Sequence, residues 1–362
     1  MFFENNAKKP VDISTLAVVP TVLVLGTGGT IAGTATDAND VLGYTAGQIG
    51  VAQLLLGVPG LALLPVRLQT EQLAQVDSKD MDFELWKALA LRVHAALQQA
   101  DLAAVVITHG TDTLEETAYF LHAVLPCDLL AQKPVVLTCA MRPASAPAPD
   151  GPQNLLDAVT TALDAAARGV LVVCAGQIHG ALAVQKMHTS RVDAFSSGDA
   201  GPVGSLLADP HAAAGRATGA VRVVWHQMPP VGASGADLMA LLASANALPR
   251  VELVVSHAGA GPLVVEALLA GLTAHVTMAK AGSAVETDRL RGLVVAGTGN
   301  GTVHKGLEAA LVRAQQAGVH VVRASRCAWG GVQAVPGRAL AAVSTLSAVK
   351  ARVALQLELL AF

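Results

Sequence analysis

Two β-branched apolar runs, each breaking into glycine and threonine, constrain this chain more than any other feature. The first is VLVLGTGGTIAGTAT over 22–36 and the second VVITHGTDTLEET over 105–117. A short apolar run that ends in glycine reads as a buried parallel strand entering a loop. In open α/β sheets the ligand crevice lies beyond the carboxyl ends of such strands. Two strand ends carrying hydroxyls therefore propose one site, with Thr30 from the first and Thr111 and Asp112 from the second.

The rest of the chain supplies the partners of those strands. Expected helices cover 47–56, 80–99, 113–125 and 153–167, and expected strands 61–68, 102–108, 134–139 and 169–174. Within the second helix Phe83, Trp86, Leu89, Val93 and Leu97 recur at three- and four-residue spacing. Such alternation builds a parallel, right-handed α/β sheet. The stretch 226–247, with Pro229, Pro230 and several Gly and Ala, reads as a linker. Beyond it, strands at 251–256, 293–296 and 319–323 alternate with helices near 262–271, 303–317 and 348–361. The fold class is thus α/β, and the expected division is 18–225, linker 226–247, and 248–362. Two domains suit 362 residues, since single cores stop growing near ~250–300 residues. Residues 1–17 are read as an arm.

Composition narrows the function classes. The chain is 52% hydrophobic and 14% charged, with a net charge of −3. No basic cluster recommends a nucleic acid or an anionic membrane. Windows 13–36 and 43–66 lack charge and could each span a bilayer, but Pro and Gly interrupt both, which suits strand–loop–helix pieces. Lys8 and Lys9 before an apolar stretch loosely suggest a signal peptide. Cleavage after that stretch would remove the Thr30 loop, so the expectation is no signal and a cytoplasmic protein. Cys127, Cys139, Cys174 and Cys327 show no CxxC spacing, and no His/Cys/Asp cluster has metal-ligand spacing.

The residues bear several readings. A threonine hydroxyl is a poor nucleophile without a base or polarising network. Gly28 and Gly29 allow close backbone approach and N–H groups aimed at an oxyanion. A dinucleotide-binding turn fits poorly, because Ile31 stands where the third glycine belongs. Asp112 to Glu115 fits a capping box at a helix start, and Ser78 can cap a helix at 80. Lys186, amid small and apolar residues, reads on its own as a solvated charge. Tyr44 reads as a packing aromatic with a wet hydroxyl. Gly297-Thr-Gly-Asn-Gly301 looks like a phosphate loop but lacks the Lys-Ser/Thr ending. His109 reads as structural, and Arg142 and Asp150 as bracing.

Taken together, Thr27-Gly-Gly-Thr30-Ile-Ala-Gly33 and His109-Gly-Thr-Asp112-Thr-Leu-Glu-Glu-Thr-Ala118 resemble the signature segments of the bacterial-type L-asparaginase/glutaminase family. Tyr44, Ser78-Lys-Asp80, Ala140-Met-Arg-Pro143, Asp150-Gly-Pro-Gln-Asn154, Lys186 and Gly297–Gly301 follow in the family's order. The resemblance implies a larger N-terminal domain with a mixed, mostly parallel sheet and a smaller C-terminal parallel α/β domain. It implies that Thr30, Tyr44, Thr111 and Lys186 are catalytic, with Tyr44 on a lid and Lys186 working through Thr111. Gly29, Ser78, Lys79, Gly110 and Asp112 would bind substrate, with Asp112 on the α-amino group and Ser78 on the α-carboxylate. A Thr–Lys pair works if burial lowers the lysine pKa. No cofactor is implied, and a homo-oligomer, tetramer or dimer, is.

The chain departs from the family pattern in three places, the first two of which bear on substrate. Lys79 stands where the family usually has glutamine. The asparagine and glutamate that family members send from a neighbouring subunit's C-terminal domain have no counterpart in Ser256-His-Ala-Gly-Ala260 or Gly330-Gly-Val-Gln-Ala-Val335. The segment 272–290, with Glu286 and Asp288, is longer than the family pattern. The expected activity is hydrolysis of L-asparagine to aspartate and ammonia. The alternatives are glutamine or D-asparagine on the same site, or a non-catalytic amino-acid-binding protein on this scaffold.

Overall fold

The computed structural model describes residues 19–37, 40, 43–208, 221–232, 236–280 and 289–361, with backbone alone for 236 and 272–280. The first half runs β1 (Thr21–Gly28), α1 (Val51–Leu56), β2 (Arg67–Val76), α2 (Phe83–Leu97), β3 (Leu102–Thr108), α3 (Leu114–Val124), α4 (Cys127–Gln132), β4 (Val135–Thr138) and α5 (Gly151–Ala162). It continues through β5 (Val170–Cys174), β6 (Gln177–Gly180), β7 (Gln185–Lys186), β8 (Phe195–Ser196), β9 (Gly204–Ala208) and β10 (Val221–Trp225). The remainder is α6 (Ala236–Ser244), β11 (Arg250–Val255), α7 (Leu263–Lys280), β12 (Leu290–Gly297), α8 (Lys305–Gln316), β13 (His320–Ser325) and α9 (Ala348–Leu360).

The larger sheet has eight strands in the order β10-β9-β6-β5-β4-β3-β1-β2. From β2 through β5 the pairing is parallel, and β6, β9 and β10 extend it antiparallel. A separate three-stranded sheet, β11-β12-β13, is parallel throughout. This is the expected mixed, mostly parallel α/β architecture with a second parallel unit. The apolar runs follow from burial on both faces. Leu23, Leu25, Val105, Ile107 and Leu137 face the layer of α2 and α3. Val22, Val24, Val106 and Val136 face the layer of α5.

Four expectations shift. The apolar stretch 61–68 is not a strand: Pro59–Leu63 forms a 3-10 turn and the strand is Arg67–Val76. Being the sheet edge, β2 mixes exposed and half-buried residues and has none fully buried, so hydropathy pointed to the wrong segment. Helix α2 starts at Phe83, because the Asp82 carboxylate accepts from Leu85 N at 2.9 Å and caps it. Ser78 opens a separate 3-10 turn. The expected linker contains α6, whose Met239 and Leu242 are buried in the core of the larger unit. Helix α7 runs on to Lys280, and Glu286 and Asp288 lie outside the described residues, as does the arm at 1–17. Among the described residues no helix is long and apolar enough to cross a membrane.

Candidate active site

The site begins where β1 and β3 end side by side, with Gly26 paired to Thr108. Thr27 Oγ1 donates to Thr108 O at 2.9 Å and ties the two ends together. The loops that follow are in backbone contact: a Cβ built on Gly29 would lie 2.3 Å from Gly110 Cα, and one on Gly110 would lie 2.5 Å from Ser78 Oγ. Gly29 sits at φ 81°, ψ −175°, a region essentially closed to side-chain-bearing residues. Glycine at both positions therefore brings Thr30 and Thr111, each the next residue along, onto neighbouring strand ends. The Gly29 N–H itself donates to Val76 O at 2.8 Å. It is thus not free for an oxyanion, and Gly29 acts through its shape.

Thr30 is buried at the head of the 3-10 turn Thr30–Ala32. Its Oγ1 lies 2.6 Å from the Tyr44 hydroxyl. Tyr44 arrives on the loop that returns to β1, fastened by the Thr34–Thr45 bridge. A Cβ on Gly33 would meet the Tyr44 ring at 2.8 Å, so that glycine makes room for the ring. Residues 38–39 and 41–42 of the loop lie outside the described residues.

Thr111 is buried, and its Oγ1 accepts from Lys186 Nζ at 2.8 Å. The same ammonium donates to Asp112 Oδ1 at 2.7 Å. Lys186 is not the solvated surface charge of its isolated reading, since its side chain is only 18% exposed. Nor does Asp112 cap α3: the N-cap is Thr113, with no side-chain capping bond. The carboxylate turns to Lys186 instead and keeps about half its surface open to solvent. Ser78 is buried, and its Oγ accepts from Asp112 N at 3.1 Å while its carbonyl accepts from Thr113 Oγ1 at 2.6 Å. Lys79 adds no free charge to this corner. It is exposed and pairs with Asp80, and with Asp77 at 3.7 Å, and these carboxylates hold its pKa up.

Behind the loops lie the supporting groups. His109 is fully buried, with Nδ1 2.7 Å from Gly110 O and Nε2 3.0 Å from Thr117 Oγ1. A carbonyl only accepts, so Nδ1 carries the proton and Thr117 donates to Nε2. Thr117 accepts in turn from Trp86 Nε1 at 2.9 Å. Burial pulls the His109 pKa down to about 4, which suits a neutral, structural ring. Asp150 accepts from the amides of Met141 and Arg142, each at 2.9 Å, and Arg142 donates to Ala148 O. Both residues brace the loop after β4. Asn154 joins the ends of β4 and β5, donating to Cys139 O and accepting from Ala175 N. Cys139 and Cys174 are buried thiols. Thr117 carried no sequence signal beyond its place in a motif, and its relay was missed. Among the described residues no group of three or more His, Cys, Asp or Glu side chains could hold a metal ion.

The C-terminal unit borders the site at β7. Gln185 Nε2 donates to Ala328 O at 3.1 Å, and Trp329 lies against Gly198. The turn Gly297–Gly301 braces this region: Asn300 holds Gln333 through both its amide atoms. Ser256 is buried, and its hydroxyl accepts from His304 N.

Comparison with known proteins shows the family. Residues 21–216 match the family model described as Asparaginase, N-terminal, and residues 250–361 the Glutaminase/Asparaginase C-terminal domain. The chain is 36% identical to L-asparaginase 2 of Escherichia coli (strain K12), over 94% of this chain and 89% of that protein. It is 32% identical to the glutaminase-asparaginase of Pseudomonas fluorescens biotype A, over 88% and 79%. The crystal structure of a probable cytoplasmic L-asparaginase from Campylobacter jejuni superposes with a TM-score of 0.78 at 33% identity, covering 94% of this chain and 95% of that one. With both domain models matched in order and the motif residues gathered at the ends of β1 and β3, the chain belongs to the asparaginase family.

Proposed function

We propose that the chain hydrolyses L-asparagine to L-aspartate and ammonia, with Thr30 as nucleophile and no cofactor. The observation that carries this reading is the pair of hydroxyl systems on adjacent strand ends, Thr30–Tyr44 at 2.6 Å and Thr111–Lys186 at 2.8 Å. One hydroxyl can attack while the other readies water, and a binding protein has no use for both.

Thr30 Oγ attacks the side-chain amide carbon as its proton passes towards Tyr44, and the C–O bond forms. The N–H groups that open the 3-10 turn have no partner within it and suit the oxyanion. The C–N bond breaks and ammonia leaves with the proton. Water activated through Thr111 and Lys186 then adds to the ester, releasing aspartate and restoring Thr30. Asp112, half open beside Lys186, takes the substrate α-ammonium, and the Ser78 corner takes the α-carboxylate. Gly29 and Gly110 set the separation of the two loops.

Glutamine is a second substrate to test, because relatives named glutaminase-asparaginase share a third of the sequence. We propose that the protein acts in the cytoplasm and as a homo-oligomer, tetramer or dimer. The four cysteines without disulfides and the exposed Leu56, Leu63 and Leu263 support this. The test is ammonia release from asparagine, glutamine and D-asparagine by wild type and Thr30→Ala. The expected result is turnover of asparagine that falls on the order of 10³-fold or more in the variant. Full turnover in both Thr30→Ala and Thr111→Val would overturn the assignment.

A further inference from the structure

Lys350 is fully buried in the first turn of α9. Its ammonium donates to three backbone carbonyls of the larger unit: Ala181 O at 2.8 Å, Leu182 O at 3.1 Å and Val184 O. An ammonium has three N–H donors, so all three are used. Among the described residues Lys350 forms no direct ion pair, although Glu115 of α3 lies close enough to attract it. Burial pushes the Lys350 pKa down and that of Glu115 up, each partly held back by the other's charge. Burying a cation is costly unless its donors are satisfied, as they are here by hydrogen bonds to three carbonyls.

What they fix is the turn that leads into β7. That strand is two residues long, Gln185–Lys186, and among the described residues pairs only with the equally short β8. Its ladder alone is a weak hold on Lys186. The turn before it is closed by Ala183 N and Val184 N, both donating to Gly180 O, and three of its other carbonyls, those of Ala181, Leu182 and Val184, are gathered by Lys350. We infer that Lys350 is a positioning residue: from the C-terminal helix it clamps the Ala181–Val184 turn, so that Lys186 is held against Thr111 Oγ1. The inference rests on the reading of Lys186 and Thr111 given above. It makes the C-terminal unit a determinant of the geometry of the reactive pair in the same chain.

The test is Lys350→Met in the full-length chain, with Lys350→Gln, which keeps two donors, in case the methionine form does not fold. Two readouts are compared. A crystal structure gives the Lys186 Nζ–Thr111 Oγ1 separation, and steady-state kinetics give kcat and KM. The separation is expected to open beyond hydrogen-bonding distance and kcat to fall about 10²-fold, as for a misplacement of about 1 Å. In a Lys186→Met background Lys350→Met should cost little further activity, because it acts through Lys186. A folded variant with the separation kept and kcat within about twofold would overturn the inference while leaving the asparaginase reading intact. An equal loss in both backgrounds would also overturn it, showing a general structural role. If wild type released no ammonia, the asparaginase reading would fall and the crystallographic distance would still decide the clamp.

Discussion

Substituting Gly29 by alanine should separate the two loops that carry Thr30 and Thr111. The new Cβ would sit 2.3 Å from both Gly110 Cα and Gly110 N, and 2.8 Å from His109 C. Ordinary contact begins near 3.4 Å, so more than an ångström has to be found. All the obstructing atoms are backbone, so no side chain can swing aside. Overpacking of this kind costs about 1–3 kcal/mol. The backbone conformation, closed to a Cβ, adds a further ~1–3 kcal/mol. Gly318→Ala supplies the control: Gly318 also has positive φ, 86°, but nothing lies within 4 Å of its Cβ position. It should carry only the backbone cost, about 1–2 kcal/mol. Urea denaturation of wild type and both variants, compared at constant m, gives the difference. Ammonia release should fall about 10²-fold in Gly29→Ala and stay near wild type in Gly318→Ala. Equal destabilisation of the two variants, or full turnover by Gly29→Ala, would refute the close-contact argument.

Two further outcomes follow from the same geometry. Tyr44→Phe removes the hydroxyl 2.6 Å from Thr30 Oγ1 and should lower kcat about 10²–10⁴-fold with little change in melting temperature. For His109, burial lowers the folded pKa to about 4 from 6.5. The unfolded chain then binds more protons between those values, and this group's contribution to stability is lost as pH falls through that window. Glu115 and Asp157, with raised values near 7 and 6, act in the opposite sense, so the measurement is a difference. The cost of His109→Gln, from denaturation at about pH 7 and about pH 5, should shrink by about 2 kcal/mol at the lower pH. An unchanged cost would mean that His109 titrates normally.

The parallel strands β1, β3, β4 and β5 were legible because they are buried on both faces and read as uninterrupted apolar runs. The edge strand β2 was not, because a strand paired on one side only keeps polar residues. The antiparallel continuation β6, β9 and β10 is built from short segments after turns, with little hydropathic signature. Helix α6 was hidden by the prolines before it, although its Leu, Met and Ala content suits a helix packed on α2 and α3.

By itself the sequence determined the α/β class, the two strand ends with Thr30 and Thr111, and, through its motifs, the expectation that Tyr44, Ser78, Asp112 and Lys186 share one site. Those motifs are local, and local chemistry sets strands, turns and the glycines between them. Tertiary structure alone decided which group each charge meets. Lys186 reaches Thr111 across 75 positions, Asp112 turns to that lysine instead of capping its helix, and Lys79 spends its charge on Asp80. Lys350, a lone lysine in an apolar helix, meets carbonyls more than 160 positions earlier. A buried ion's partner is fixed by where the chain's layers bring donors and acceptors together and exclude water, and no spacing along the sequence encodes that.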